Sequence, residues 1–249
     1  MAKINTIEEG IKSIYTLNEF GEVPNYQILP LTQNDYTETL SFNGNEYPIF
    51  YWRAEPQTSA VANNARRNVG FPCSLKISGA ISKDYGIDKF LYKELDTAEW
   101  ILNSEIAHLT AYVNGACCNA ILRMKNGKVA ILELGATLPV GAEEQTRHTV
   151  WGTKGMSSSR VISQKVRGKS VYLFNDGPTP VTFNDEMSTL YGLSPEDCTK
   201  TVAVASMLLG KMDCESWKNK HQKLLDYIDA VYKSSKTGER VVVGGNDNE

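Results

Sequence analysis

The chain has 249 residues, 41 % of them apolar and 22 % charged, which suits one large domain or two small ones with a sizeable core. Lys plus Arg number 26 against 29 for Asp plus Glu, a net charge of −3, so no positive field gathers phosphates and nucleic acid is not an expected partner. No apolar run approaches the roughly 18 residues needed to span a bilayer, and the first ten residues lack the apolar stretch of a signal peptide, so the expectation is a soluble, cytoplasmic protein without a membrane partner.

Thr6 to Leu17 has the period of a short amphipathic helix, with Ile7, Ile11, Ile14 and Tyr15 on one side. A polar, irregular stretch follows from Asn18 to Thr39, and residues 1–42 read as an arm or short helix rather than a domain. Glu46 to Ala54, dense in Tyr, Ile, Phe and Trp, predicts a strand. The polar segment from Glu55 to Pro72, which contains Arg66, Arg67 and Asn68, reads as a long connection, and Cys73 to Ser78 as a short strand.

Ile87 to Ile106 predicts a helix, because Leu91, Leu95, Ala98 and Leu102 recur at helical spacing as one apolar stripe. Lys89, Lys93, Asp96 and Trp100 fall on the opposite side, which reads either as a solvated face with a Lys93–Asp96 pair or, given the tryptophan, as a cleft or subunit contact. From His108 to Phe174 the pattern becomes sheet: Leu109–Tyr112, Asn119–Met124, Val129–Leu134, Thr146–Trp151, Ser159–Gln164 and Ser170–Phe174 are candidate strands. Asn126-Gly127 signals a type I′ hairpin turn. Ser194 before Pro195 starts a helix that stops at Gly210. Ser216 opens a last helix with Trp217, Leu224, Leu225, Ile228, Val231 and Tyr232 on its buried face. Val241–Val243 can return as a strand, and 244–249 fray. The fold class expected is α+β: one large, mostly antiparallel sheet with helices on one face.

The motif inventory excludes more than it suggests. No two of the 19 glycines are separated by one residue, so the G-x-G-x-x-G turn of a dinucleotide site cannot occur. No phosphate-binding G-x-x-x-x-G-K-[ST], no G-x-S-x-G elbow and no H-E-x-x-H exists, so no cofactor or metal site is predicted within this chain. Five scattered cysteines without a C-x-x-C pair read as buried free thiols, with Cys117 and Cys118 on opposite faces of a strand.

Three phrases carry a resemblance. They are Glu94-Leu95-Asp96-Thr97-Ala98-Glu99-Trp100-Ile101-Leu102, Arg147-His148-Thr149-Val150-Trp151-Gly152-Thr153-Lys154-Gly155, and Leu224-Leu225-Asp226-Tyr227-Ile228-Asp229-Ala230 running to Ser235-Lys236-Thr237-Gly238. In this order, from Asn43 to Val243, the chain resembles the C-terminal substrate domain of the Gfo/Idh/MocA oxidoreductases, without their N-terminal Rossmann domain; residues 43–249 are taken as that domain.

The resemblance implies a domain that works beside an NAD(P)-binding Rossmann domain on a sugar or cyclitol and oligomerises through its open sheet face. Proton transfer in the family rests on a Glu-Lys-Pro lysine and an Asp-x-Gly-x-His motif. This chain has no Glu-Lys-Pro, and where the second motif belongs it carries Lys89-Phe90-Leu91-Tyr92-Lys93.

Three readings follow. The first is an accessory or non-catalytic subunit, either a homo-oligomer or paired with a full-length oxidoreductase. The second is the substrate-binding half of a split dehydrogenase, with NAD(P) bound by a Rossmann-bearing partner. There Lys93 would transfer the proton, Lys89 would orient charge, and Arg66, Arg67, Asn68, His148 and Trp100 would contact substrate. The third is a cofactor-independent carbohydrate lyase or isomerase using Tyr92, Lys93 and Asp96. A surface lysine, a satisfied strand histidine and a solvated arginine loop are the plainer readings of the same residues.

Overall fold

The computed structural model describes residues 4–32, 35–159, 169–174, 181–185 and 193–243. They fall into two compact units: residues 1–56 with 185–222, and residues 57–184 with 223–249.

The first unit contains α1 (Ile7–Leu17), a three-stranded antiparallel meander of β1 (Tyr26–Leu29), β2 (Thr39–Phe42) and β3 (Asn45–Pro48), and a short 3₁₀ turn at Tyr51–Ala54. Late in the chain it adds α4 (Pro195–Leu208) and the opening turns of α5 (Cys214–Thr237). Thr6 caps α1 and Ser194 caps α4, each hydroxyl accepting from the amide three residues on, the N-cap the sequence predicts at Ser194. The predicted strand Glu46–Ala54 is β3 followed by the 3₁₀ turn, and the stretch read as irregular holds β1. The aromatic run was diagnostic of burial rather than of strand: Phe50 lies 5.4 Å from Trp52 and 4.9 Å from Trp217, and the Arg53 guanidinium caps both Phe50 and Trp217.

The second unit is built on a nine-stranded sheet. Its strands are β4 (Pro72–Ser82), β5 (Ile106–Asn114), β6 (Cys117–Met124), β7 (Val129–Leu138), β8 (Gln145–Gly152), β9 (Gly155–Ser159), β10 (Lys169–Phe174), β11 (Val181–Asp185) and β12 (Val241–Val242). They lie in the order β11-β10-β9-β8-β4-β7-β6-β5-β12. The β4–β7 pair is parallel, and every other pair whose register is described is antiparallel. The α+β class with a mostly antiparallel sheet is therefore the observed one. Residues 160–164 of the predicted strand Ser159–Gln164, and the predicted frayed end 244–249, lie outside the described residues.

The helices of this unit are α2 (Pro56–Arg67), α3 (Ile87–Leu102) and the later part of α5. Helix α2 corrects the expected long connection. Its polar composition hides a helix that buries Val61, Ala62 and Ala65 with Gln57, Thr58 and Asn64. At Lys125–Lys128 the hairpin forms, but only Gly127 has a positive φ (+82°), so the turn is type I followed by a left-handed glycine rather than type I′. Helix α5 starts two residues before Ser216, buries Tyr227 and leaves Tyr232 exposed. Cys117 and Cys118 do take opposite faces, but Cys73 and Cys117 are exposed thiols rather than buried ones.

Helix α3 sets the geometry of the candidate site. Every residue from Phe90 to Glu99 is buried. The solvated face expected for Lys93 and Asp96 does not exist, because the helix is covered beyond its apolar stripe. It packs on β4, β6 and β7, and Tyr227 of α5 donates to Glu99 Oε1 at 2.7 Å. The Glu99 carboxylate also accepts from the Ile106 amide at the start of β5. Gly79 on β4 admits α3 to the sheet, since a Cβ there would stand 2.6 Å from the Phe90 ring and 2.8 Å from Thr146 Oγ1. Gly79→Ala is expected to lower stability by about 1–3 kcal/mol through this overpacking, measured by urea unfolding; an unchanged midpoint and slope would contradict that seating of α3.

Candidate functional site

Four ionisable side chains from three elements meet on the helix-covered side of the sheet. Lys93 and Glu94 come from α3, Glu144 from the turn between β7 and β8, and His148 from β8. Strand alternation puts His148 and Val150 on the buried side of β8 while Arg147 and Trp151 face outward. The His148 imidazole then meets Glu94, its Nε2 donating to Oε2 at 2.9 Å, with both side chains enclosed. The His148 amide donates to Ser159 Oγ on β9.

The Lys93 ammonium donates to both Glu144 oxygens, at 2.6 and 2.7 Å, and lies 4.0 Å from Glu94 Oε1. Thr146 Oγ1 donates to Glu144 Oε1 at 2.6 Å. The Lys93 side chain is 8 % exposed and that of Glu144 36 %, so Glu144 is the member of the group open to solvent. Burial, the largest single influence, pushes the Glu144 carboxyl pKa up, but the Lys93 charge, the hydrogen bonds from Lys93 and Thr146 and the charge of His148 together outweigh it. The net result is a pKa below the usual carboxylate range.

The other predicted site residues separate into distinct environments. Tyr92 and Asp96 are fully buried within α3, and Lys89 is half-buried near its start. Arg66, at the end of α2, donates to the Trp100 carbonyl at 2.8 Å and lies over the Trp100 ring, so these two residues engage each other. Together with Lys128, which donates to the Leu102 carbonyl, Arg66 puts positive charge at the C-terminal end of α3, where the helix dipole favours it. Arg67 and Asn68 are exposed, and the Asn68 amide donates to Asn64, whose own amide donates to the buried Ser157 hydroxyl.

The structure thus brings Lys93 and His148 together through Glu94 and places Arg66 with Trp100 elsewhere. Glu94 and Glu144 escaped the sequence reading. Glu94 sits inside one of the phrases quoted above, and a carboxylate on a helix otherwise buried all round was the available signal. Glu144 lies in a turn, with no periodicity to mark it. Among the described residues no group of three or more His, Cys, Asp or Glu could hold a metal ion, and no helix is long and apolar enough to cross a membrane.

No protein-family model and no curated protein sequence matches the chain. Solved structures do. A myo-inositol dehydrogenase from Corynebacterium glutamicum superposes with a TM-score of 0.57 at 19 % identity over 79 % of this chain and 64 % of its own. A levoglucosan dehydrogenase solved with NADH and levoglucosan gives 0.61 at 13 % identity, over 78 % of this chain and 65 % of its own. An aldose-aldose oxidoreductase from Caulobacter crescentus gives 0.60 at 12 % identity, over 96 % of this chain and 69 % of its own. The chain spans less than two thirds of the length of the two dehydrogenases. The fold is therefore shared with sugar and inositol oxidoreductases, in agreement with the resemblance drawn from the three sequence phrases.

The Glu144 pair has a pH signature. A carboxyl whose folded pKa is depressed contributes stability above its unfolded value, about 4.5, and loses it as the pH falls through the lower folded value. The stability advantage of the wild type over Glu144→Gln is expected to be full at neutral pH and to shrink below about pH 4.5 in urea titrations across pH. A difference that does not change with pH would contradict the pairing.

Proposed function

We propose that this chain is an accessory, non-catalytic relative of the sugar and cyclitol oxidoreductase substrate domain, acting in association with such oxidoreduction and binding no dinucleotide itself. Lys93 carries the reading. It stands where the resemblance puts the family's proton-transfer histidine, but its ammonium is engaged by both oxygens of Glu144 within a nearly closed ion-pair group. A general acid or base must come within hydrogen-bond reach of the substrate proton, and two of the three N–H groups of Lys93 are already committed to Glu144. Tyr92 and Asp96, the other acid–base candidates, are enclosed in α3.

The open sheet face supports self-association. Across paired strands it presents Tyr112, Ile121, Ile131 and Trp151 with Arg123, Glu133 and Lys76. Tyr112 is 65 % exposed, Ile121 55 % and Trp151 40 %. Apolar side chains of this size interspersed with charges are the composition of a contact surface, and a second copy of this chain is the proposed occupant.

The test uses the purified chain with NAD⁺ or NADP⁺ and, in turn, myo-inositol, levoglucosan and an aldose, followed by nicotinamide absorbance, with mass measured by light scattering. No turnover and a homo-oligomer are expected, and Ile121→Asp is expected to shift the oligomer to monomer. Turnover on adding a dinucleotide-binding partner chain, lost in Lys93→Ala, would contradict the accessory role and favour a split dehydrogenase.

A further inference from the structure

Glu94 Oε1 is a fully buried carboxylate oxygen with no hydrogen-bond partner among the described residues, while its sister Oε2 is satisfied by His148. Buried polar atoms in native proteins are almost always paired, and an exception calls for a physical reason. The nearest cation is Lys93, whose Nζ lies 4.0 Å from the orphan oxygen. A displacement of about 1 Å would bring it within ordinary N–H···O distance. Lys93 is held away by Glu144, which takes two hydrogen bonds from it.

We infer that Lys93 is a two-position cation: released by Glu144, its ammonium moves onto Glu94 Oε1, so that Glu144 can exchange partners without leaving a buried charge unpaired. Stranding a buried ammonium is costly, because the desolvation of the ion is no longer offset by an opposite charge. Here the second carboxylate is already in place, anchored by His148 and without a hydrogen bond on the side that faces Lys93. Glu144 can leave at low cost because its side chain is 36 % exposed, so its charge passes to water or to an incoming hydroxyl or ammonium group. The unequal exposure of the two carboxylates makes the exchange directional. Glu94, at 0 %, cannot leave, and Glu144 can. The inference deepens the reading of Lys93 as an ion-paired residue, and its test reads the position of the lysine rather than turnover, so the two can fail separately.

The experiment compares Glu144→Ala with Lys93→Met in the full chain, by crystal structure and by thermal unfolding. In Glu144→Ala the Lys93 Nζ is expected within hydrogen-bond distance of Glu94 Oε1. The melting temperature is expected to fall by no more than about 2–4 °C, while Lys93→Met, which leaves two carboxylates without their cation, falls at least twice as far or fails to fold. A Lys93 side chain that turns to solvent in Glu144→Ala would overturn the inference. So would an equal thermal loss in the two variants, or failure of Glu144→Ala to fold.

Discussion

The second unit depends on a rule of low-dielectric interiors: a buried charge persists only where an opposite charge and hydrogen bonds meet it. Helix α3 carries Lys93, Glu94, Asp96 and Glu99 in a stretch where every side chain is enclosed. The surrounding elements answer three of them. The β7–β8 turn supplies Glu144 to Lys93, β8 supplies His148 to Glu94, and α5 supplies the Tyr227 hydroxyl to Glu99. The same helix packs on the sheet, with Phe90 over Gly79 of β4, and its apolar stripe of Leu91, Leu95 and Leu102 is fully buried. Apolar packing holds α3 on the sheet, and the ion pairs tie it to particular neighbouring residues.

That arrangement bears on function because the same helix carries the position at which the resemblance expects chemistry. A lysine there could serve proton transfer only if its ammonium faced substrate. In this fold it faces Glu144 inside a nearly closed group, and the substrate-side candidates Arg66 and Trp100 are occupied with each other at the end of α3. The fold is shared with sugar and inositol oxidoreductases, and in it Lys93, Arg66 and Trp100 are engaged with neighbouring residues of this chain.

Much of this was legible in the sequence where a single period dominated. Ser194 marked a helix start through its side-chain oxygen, adjacency put Cys117 and Cys118 on opposite faces of a strand, and the stripe of α3 was buried as its spacing implied. The misreadings arose where tertiary contacts overrode a local signal. Helix α2 is polar because it buries Asn64 and Gln57 along with its small apolar residues, so its composition resembled a loop. The aromatic run at 47–54 reads as strand by propensity, yet it bends into a 3₁₀ turn so that Phe50 and Trp52 enter the first unit's core. For the site, Lys93 and His148 stood out by type, but their partners did not. Glu144 is brought in by the β7–β8 turn and Glu94 is selected by which side of α3 meets β8, and both are consequences of chain topology that no spacing rule encodes.

The most direct test of Lys93 as a structural ion pair is the ¹⁵Nζ resonance of that residue in selectively labelled protein, followed across the neutral and mildly alkaline range. A lysine held by Glu144, with Glu94 as its second carboxylate, shows a hydrogen-bonded ammonium with slow exchange of its protons, and keeps that protection in Glu144→Gln because Glu94 Oε1 takes it over. A neutral amine near pH 7, the form that proton abstraction from a sugar hydroxyl requires, would contradict the structural role and return Lys93 to the chemistry of the site.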